Sequence, residues 1–365
     1  MWKGFTILQR IRQEGEKQPK ERKRLLQGEC VAGIAFTARG MAAGERIGRW
    51  VGAQQGQWRL HDGRKTKARQ WAQQYAPCAR VLVCIGAAGI AVRVLAPHLR
   101  SKAQDPAVLV VDENERFVIP LLSGHMGGAN ALAEELAAFL GAQAVITTAT
   151  DGRGVFAVDS WAVAQGLRIA NPERIVEVSS ALLAGQAVQL CSDLPIAGSW
   201  PAGLVPEPAS VTCSVSLDER KAEQGLLLVP PMLTLGVGCR KGVAQEAIQE
   251  AFAALCRAHH WHERAFVNVA SIDIKQQEAG LLAFCRAHGW PLVCHAAGAL
   301  SALEGIFSAS EWVRATVGVD NVCERAAVLT GGGRLLVRKQ AQAGVTLAVA
   351  AAPYSLTFAK RQRGG

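Results

Sequence analysis

Residues 108–141 read VLVVDENERFVIPLLSGHMGGANALAEELAAFLG, and this stretch decides the fold class. The run at 108–111 is hydrophobic at every position, as expected for a strand buried on both faces, and a second short strand is predicted at 117–119. A glycine-rich loop follows. Residues 132, 136, 139 and 140 are then Leu, Leu, Phe and Leu, which predicts an amphipathic helix over 129–140 capped by Gly141.

The same order of strand, glycine-containing turn and helix recurs along the chain. Strands are predicted at 31–36, 81–85, 144–147, 233–237, 265–270 and 291–295, and helices at 243–259 and 275–288 among others. Residues 334–338 and 345–350 alternate in hydrophobicity, which predicts an antiparallel hairpin. We therefore predict an α/β protein of two to three domains with mostly parallel sheets, the last domain ending in that hairpin.

Domain boundaries follow from these repeats. Residues 1–30 are predicted to be a basic N-terminal extension, either a disordered tail or a misplaced start of translation. An N-terminal α/β domain at 31–142, a middle region at 143–230 and a C-terminal α/β domain at 231–353 follow, with a tail at 354–365. The proline-rich stretch 194–208 is expected to be extended rather than helical.

Composition excludes several classes of protein. With 50% hydrophobic and 19% charged residues, the 365-residue chain is too apolar to be disordered. It contains neither an apolar run long enough to span a bilayer nor a secretory signal in its first thirty residues, so a cytoplasmic protein is expected. The ten cysteines show no CxxC pair, which favours reduced thiols, and His259, His260 and His262 are interpreted as a solvated helix end rather than a metal site.

The net charge of +10 is confined to one part of the chain. Residues 1–72 hold 16 Lys/Arg and 6 Asp/Glu, a balance of +10, and the rest of the chain is neutral overall. A nucleic-acid or membrane-surface partner would need a broader basic surface. We therefore expect neither.

The loop 123–130 holds the densest set of residues that could carry chemistry. Its glycines would let a ligand approach the backbone, and the amides that begin the next helix could hold an anion or an oxyanion. His125 could serve as an acid, a base or a hydrogen-bond donor. A capped turn with a structural histidine explains the same residues equally well.

Three weaker candidates lie elsewhere. Residues 86–89 with Arg93, and residues 236–242, follow predicted strands but lack the GxGxxG spacing, so they are interpreted as general anion-binding turns. Asp105, Asp112, Glu113 and Asp151 lie near predicted strand ends, where each alone is explained as a turn residue. Lys275 and Glu278 are three residues apart at a helix start, a spacing that favours a surface ion pair.

Taken together, several segments resemble one protein family. The segments are GAAGIAVRVLAP (86–97), LLSGHMGGANALA (121–133), AVITTATD (144–151), LGVGCRK (235–241), ASIDIKQQE (270–278), VGVDNVCERA (317–326) and GVTLAVA (344–350). In this order they are similar to the CbiG family, the cobalt-precorrin-5A hydrolases of anaerobic cobalamin biosynthesis. The similarity extends from the first predicted strand to the C-terminal hairpin.

The resemblance implies an activity and a substrate. The activity is opening of the ring A lactone of cobalt-precorrin-5A, with release of acetaldehyde and formation of cobalt-precorrin-5B. Cobalt would arrive inside this corrinoid, so no protein-bound metal or other cofactor is expected. We predict His125 as the acid–base group, helped by Asp112 or Glu113. The residues predicted to contact substrate are Arg93, Lys102, Ser123, Gly127, Gly128, Asn130, Thr148, Asp151, Arg240, Lys241, Lys275 and Glu278.

Two other functions stay open, a non-catalytic corrinoid carrier and a nucleotide-binding α/β protein that uses residues 236–242. The basic residues of 31–72, including Arg64, Lys65 and Lys67, are expected to line the approach of a polycarboxylate corrinoid. The sequence leaves open whether the chain forms a homo-oligomer or makes hand-over contacts with neighbouring enzymes of the pathway.

Overall fold

The computed structural model describes residues 25–100, 104–124, 127–147 and 154–359. The chain divides into two units, one built from residues up to Ala164 with Ser179–Gln186, the other from Gln165–Val178 with the residues after Gln186. Both are mixed α/β structures with mostly parallel sheets, as the sequence predicts. In the described parts of the chain, no helix is both long and apolar enough to cross a membrane.

The first unit contains a six-stranded sheet of order β2-β1-β3-β4-β5-β6. Its strands are β1 Cys30–Ala35, β2 Gln57–Asp62, β3 Val81–Ile85, β4 Ala107–Val111, β5 Phe117–Leu122 and β6 Gln143–Ala144. The helices in this part of the chain are α1 Ala38–Ala53, α2 Ala68–Tyr75, α3 Ala88–Leu95, α4 Ala129–Leu140 and α5 Val158–Gln165. Strands β1 to β4 run parallel, whereas β5 runs antiparallel to β4.

Strands β3 and β4 are buried at every position because helices cover both faces of the sheet. Val83 and Leu109 pack with α1 and α4, whereas Leu82 and Val108 point to the other face and pack with α2 and α3. Leu26 is 1% exposed and joins the first of these cores. The extension predicted at 1–30 therefore ends in core residues, and its residues 1–24 lie outside the described part of the chain.

Helix α4 has the predicted bounds and ends at Gly141, which adopts a left-handed φ of 72°. The predicted stripe is partly wrong, because Phe139 is 45% exposed while Ala133 and Ala137 are buried beside Leu132, Leu136 and Leu140. The buried face therefore includes these two alanines and leaves out Phe139.

Two strands of the first sheet differ from the sequence prediction. The prediction missed β2, since its sequence QWRLHD alternates weakly, as is common on a partly exposed sheet edge. Strand β6 pairs with β5, so the first sheet extends past the domain boundary predicted at residue 142.

The second unit contains two five-stranded sheets, of order β10-β8-β11-β12-β7 and β15-β14-β13-β17-β16, and a short pair β18-β9. The strands are β7 Arg168–Ile169, β8 Val188–Ser192, β9 Ile196–Ala197, β10 Leu204–Val205, β11 Val211–Val215, β12 Leu226–Val229, β13 Leu233–Cys239, β14 Phe266–Ile272, β15 Leu292–His295, β16 Arg334–Gln342, β17 Val345–Ala351 and β18 Leu356–Thr357. The remaining helices are α6 Ile175–Leu183, α7 Lys221–Gln224, α8 Gln245–His259, α9 Ala279–His288, α10 Ala297–Ala302, α11 Glu311–Val317 and α12 Cys323–Gly331.

The last sheet has the predicted form, with β13, β14 and β15 parallel and a closing antiparallel hairpin of β16 and β17. Helix α9 begins later than predicted because Asp273–Lys275 forms a 3-10 turn first. Residues 354–357, which the prediction assigns to a C-terminal tail, make defined contacts. Strand β18 pairs with β9, and the Tyr354 hydroxyl donates to the Gln165 carbonyl at 2.8 Å.

Candidate active site

The turn between β5 and α4 is closed by its own backbone. The amide of Ala129 donates to the Ser123 carbonyl at 3.2 Å, and the amide of Asn130 donates to the Gly124 carbonyl at 2.9 Å. Asn130 therefore already uses its main-chain amide within the turn. Its side chain is 9% exposed, and Oδ1 lies 2.6 Å from where a Cβ on Gly124 would stand, so it packs inside the turn.

Two glycines of this turn have specific backbone roles. Gly128 begins α4 with a left-handed φ of 75°, which favours glycine. A Cβ on Gly127 would collide with Cβ of Ser123, so the two backbone segments touch. Ser123 itself has a φ of 56°, an uncommon conformation for a residue with a side chain and one that is enriched at functional sites.

The turn lies at the amino ends of the parallel strands. The Ser123 hydroxyl donates to the carbonyl of Asp105, just before β4, at 3.0 Å. The guanidinium of Arg80, just before β3, donates to the Gly127 carbonyl at 2.7 Å. In open α/β sheets, ligands usually bind at the carboxyl ends of the parallel strands. The antiparallel direction of β5 places this turn at the opposite edge.

Asp112 and Glu113 follow β4 at the carboxyl edge. Asp112 accepts hydrogen bonds from the amides of Phe117 at 2.6 Å and Asn114 at 3.2 Å, and so closes the turn into β5. Glu113 accepts from the Thr37 hydroxyl at 2.9 Å. Strand β4 separates this edge from the Ser123 turn by about 15 Å, at roughly 3.3 Å per residue.

His125 lies outside the described residues, so its predicted pairing with these carboxylates stays a prediction. Glu113 borders an open cavity of about 790 Å³ that Arg39, Arg46 and Arg116 also line. Part of the basic excess of residues 31–72 therefore faces this cavity, although Arg46 pairs with Glu115 at 2.8 Å.

Of four other predicted residues, the structure describes one. Arg93 is exposed in the last turn of α3. Lys102, Thr148 and Asp151 lie outside the described residues.

In the second unit the structure brings four predicted residues together at the carboxyl ends of β13 and β14. Lys275 Nζ lies 3.0 Å from Glu278 Oε2, and the two side chains are only 12% and 9% exposed, so the expected surface pair is largely buried. Glu278 also accepts the Gly242 amide at 2.8 Å. The hydrogen bond from Lys275 and the Gly242 amide lower the pKa of Glu278.

This buried pair holds the loop that carries Arg240 and Lys241. Both cations are exposed, and the Arg240 amide donates to the Gly344 carbonyl at 3.0 Å. The Arg240 side chain passes over Gly344. A Cβ added to Gly344 would lie 3.0 Å from Cδ of Arg240. Two charged groups are thus presented on a loop whose ends are fixed.

Two glycines of 236–242, Gly236 and Gly238, have packing roles. A Cβ on Gly236 would collide with the carbonyl oxygen of Cys323 in α12, and a Cβ on Gly238 would stand 2.5 Å from the Thr346 hydroxyl. Close approach of α12 to β13 therefore explains Gly236, and close approach of the β17 side chain Thr346 explains Gly238. The nucleotide-binding interpretation loses its main support.

The chain matches three family models in sequence order. Residues 70–151 match "Cobalamin synthesis G N-terminal", 156–230 match "Cobalamin biosynthesis central region" and 233–350 match "Cobalamin synthesis G C-terminus". A cobalt-precorrin-5A hydrolase from Salmonella typhimurium is 36% identical over 297 residues, which cover 77% of this chain and 84% of that protein. The chain belongs to the CbiG family.

A second CbiG relative, the cobalt-precorrin-5A hydrolase of Priestia megaterium, is 30% identical over 75% of this chain and 79% of its own length. The crystal structure of a cobalamin biosynthesis protein G homolog from Sulfolobus solfataricus is 21% identical, with a TM-score of 0.41 over 90% of this chain and 98% of that one.

Sequence reasoning missed two residues that organise this CbiG chain, Arg80 and Glu324. Arg80 holds the Ser123 turn together with Asp105 through the contacts given above, and no local motif marks Arg80. Glu324 is 0% exposed, with both oxygens hydrogen-bonded to Ser308 and one of them also to the Lys339 amide. A signal existed for Glu324, since Asn321 three residues earlier accepts its amide in the manner of a helix cap.

The histidines at the end of α8 have separate surroundings. His259 stacks on Trp261 with ring centroids 4.7 Å apart, and His262 accepts the Arg264 amide. His260 ends the helix in a left-handed conformation. Within the described ranges, no group of three or more His, Cys, Asp or Glu residues could hold a metal ion.

Proposed function

We propose that this CbiG chain is a cobalt-precorrin-5A hydrolase of anaerobic adenosylcobalamin biosynthesis. It opens the ring A lactone and releases acetaldehyde to give cobalt-precorrin-5B. The observation that carries the proposal is the 36% identity to a hydrolase of that name across 84% of its length, with all three family models matched in order.

The reaction sets defined chemical demands. Water adds to the lactone carbonyl, which requires a base and donors for the oxyanion. The ring C–O bond then breaks to leave a carboxylate and a hydroxyl. Loss of the hydroxyl proton forms acetaldehyde as the carbon–carbon bond breaks, and its electron pair stays with the macrocycle, which takes up a proton. Cobalt travels within the substrate, so the protein has to bind only the corrinoid.

Among the sequence-based candidates, His125 is the proposed acid–base group, and the amides around Gly127 and Gly128 are the proposed oxyanion donors. The closed turn supports this assignment, since it fixes the flanking backbone at one edge of the sheet. H125A should abolish acetaldehyde release while corrinoid binding persists. Full turnover by H125A would remove His125 from the mechanism.

Arg93 and Lys102 in the first unit, and Arg240 and Lys241 in the second, are proposed to receive carboxylates of the macrocycle. Arg64, Lys65 and Lys67 would attract the substrate at longer range. We expect weaker corrinoid binding at high salt, and a smaller salt effect after these three residues are changed to Gln. An unchanged salt effect in the triple variant would remove them from the binding path.

The deciding experiment is incubation of the full chain with cobalt-precorrin-5A and an assay for acetaldehyde. A hydrolase releases acetaldehyde in step with substrate loss. Corrinoid binding without acetaldehyde would instead establish the carrier function. We place the reaction in the cytoplasm, where the pathway intermediates would be at hand, and contacts with neighbouring enzymes of the pathway belong to the same proposal.

A further inference from the structure

At the carboxyl ends of β13 and β14, a largely buried ion pair lies beside a turn that carries two exposed cations. The pair is Lys275–Glu278, with Nζ 3.0 Å from Oε2 and side chains that are 12% and 9% exposed. The cations are Arg240 and Lys241, which directly follow β13. Only these two are open to solvent, so only they can meet a large anionic ligand directly.

Glu278 is joined to the turn through its second oxygen. Oε1 accepts the main-chain amide of Gly242 at 2.8 Å, while Oε2 accepts from Lys275. Gly242 has a left-handed φ of 73°, so the chain changes direction at this residue before α8 begins. The hydrogen bond from Lys275, the Gly242 amide and the charge of Lys241 all lower the pKa of Glu278. The carboxylate is thus held in its charged form against the turn.

Lys275 determines which cation neutralises this carboxylate. In the part of the chain that the structure describes, neither Arg240 nor Lys241 has an acidic side chain within 4.0 Å. Lys241 is the other cation whose charge acts on Glu278. Without Lys275, the carboxylate would attract Lys241 and reduce the charge available to a ligand.

The other end of the turn is fixed by the hairpin of β16 and β17. The Arg240 amide donates to the Gly344 carbonyl at 3.0 Å, and the Arg240 side chain lies over Gly344. Both neighbours of Lys241 in the chain are therefore tied to the edge of the sheet. Groups that are already held in place lose less conformational entropy on binding, which favours affinity.

We infer that Glu278 is a positioning residue, which holds the 240–242 turn so that Arg240 and Lys241 bind carboxylates of the corrinoid together. Lys275 neutralises Glu278 and leaves both exposed cations free for the ligand. The inference rests on the proposed function. It differs from the expectation from sequence, because Lys275 and Glu278 act through the turn and do not contact the macrocycle.

The first test replaces the pair by two apolar side chains of similar length, K275M/E278M, in the full chain. Such a replacement of a buried ion pair is often neutral or stabilising, and the exposed Gly242 amide can bond to water instead. We expect KM for cobalt-precorrin-5A to rise about tenfold, the scale of one charge-assisted hydrogen bond, without a lower kcat or melting temperature. E250Q, which removes an exposed carboxylate from α8, should match wild type in acetaldehyde release.

A double-mutant cycle separates positioning from direct contact. R240Q/K241Q removes both exposed cations while the pair remains, and should raise KM by itself. Adding K275M/E278M to it should raise KM no further, because the turn then carries no cation to position. If the two effects on KM multiply, the pair binds substrate directly and the inference is wrong.

A second variant keeps the test independent of folding. Should K275M/E278M fail to fold, E278A takes its place in the same cycle, since Lys275 can then extend into solvent. Wild-type KM in a folded variant of the pair would also overturn the inference. If wild type releases no acetaldehyde, the proposed function fails instead. The cycle is then measured as the Kd of cobalt-precorrin-5A, so the two failures are distinct.

Discussion

Replacing Glu324 by Ala should destabilise the C-terminal sheet of the second unit severely. The Glu324 side chain is fully buried in α12 and accepts three hydrogen bonds. Oε2 accepts the Ser308 amide at 2.8 Å, while Oε1 accepts the Ser308 hydroxyl and the Lys339 amide, each at 2.7 Å. Through these hydrogen bonds, one carboxylate links the loop at Ser308 and the edge strand β16 to helix α12.

The expected loss follows from the donors left behind. A buried donor without an acceptor costs about 1–3 kcal/mol, so the two main-chain amides together cost about 2–6 kcal/mol in E324A. The Ser308 hydroxyl can rotate toward another acceptor and adds less. The free energy of unfolding of native proteins is only about 5–15 kcal/mol, so E324A removes a large part of it. E324Q should lose less stability than E324A, because one side-chain oxygen remains as an acceptor while the new amide group faces one N–H donor.

The assay is urea unfolding combined with native-state hydrogen exchange. Because the chain has two units, exchange at the Ser308 and Lys339 amides reports the local effect even if the unfolding curve has more than one transition. E304Q, which changes an exposed carboxylate in the adjoining loop, is the matched control. Equal unfolding midpoints and equal protection of both amides in E324A and wild type would refute the reasoning.

Three further outcomes are expected. G236A should be destabilised by about 1–3 kcal/mol or more, because its Cβ meets the Cys323 carbonyl, whereas G52A, with open space around it, should be neutral or slightly stabilised in chemical unfolding. Because the folded-state pKa of Glu278 is lowered, mainly by Lys275, its ionisation adds stability above the ordinary carboxyl pKa of about 4.3, and this is lost as pH falls through the lowered value. The melting temperature of wild type should therefore exceed that of E278Q by less in acid than at neutral pH. An equal difference at both pH values would contradict this role of the Glu278 carboxylate. A thiol reagent at pH 8 should modify the exposed Cys78 but not Cys84 or Cys323, whose pKa burial raises to about 12, and C78S should remove the fast phase.

Elements that are buried on both faces or strongly periodic were predictable from local sequence. The strand at 81–85 and helix α4 have the predicted bounds, because a continuous hydrophobic run and a 3.6-residue stripe each favour one structure. Strand β2 was not predictable from local sequence, because an edge strand can remain half polar when only part of it packs on a helix. The three-residue spacing predicted the Lys275–Glu278 ion pair. It did not predict that the pair is largely buried, because that depends on the loop at Gly242.

In the candidate site, too, local backbone features could be predicted from the sequence, whereas contacts between distant residues could not. Glycine spacing in the Ser123 turn predicted a special backbone, and the left-handed Gly128 and the close contact of Gly127 with Ser123 confirm it. Which carboxylate stands near that turn could not be predicted. Asp112 is closer in sequence than Asp105, yet it lies at the other end of β4.

The amino-acid sequence by itself determined the α/β class, the C-terminal hairpin and the family, because these depend on local hydrophobic patterns and on motifs in a fixed order. Only the tertiary structure decided which groups meet. The antiparallel direction of β5 sets the Ser123 turn against Asp105 and Arg80, and long-range contacts bury Glu324 between Ser308 and Lys339. Strand direction depends on how the whole sheet buries its faces, which no short segment encodes.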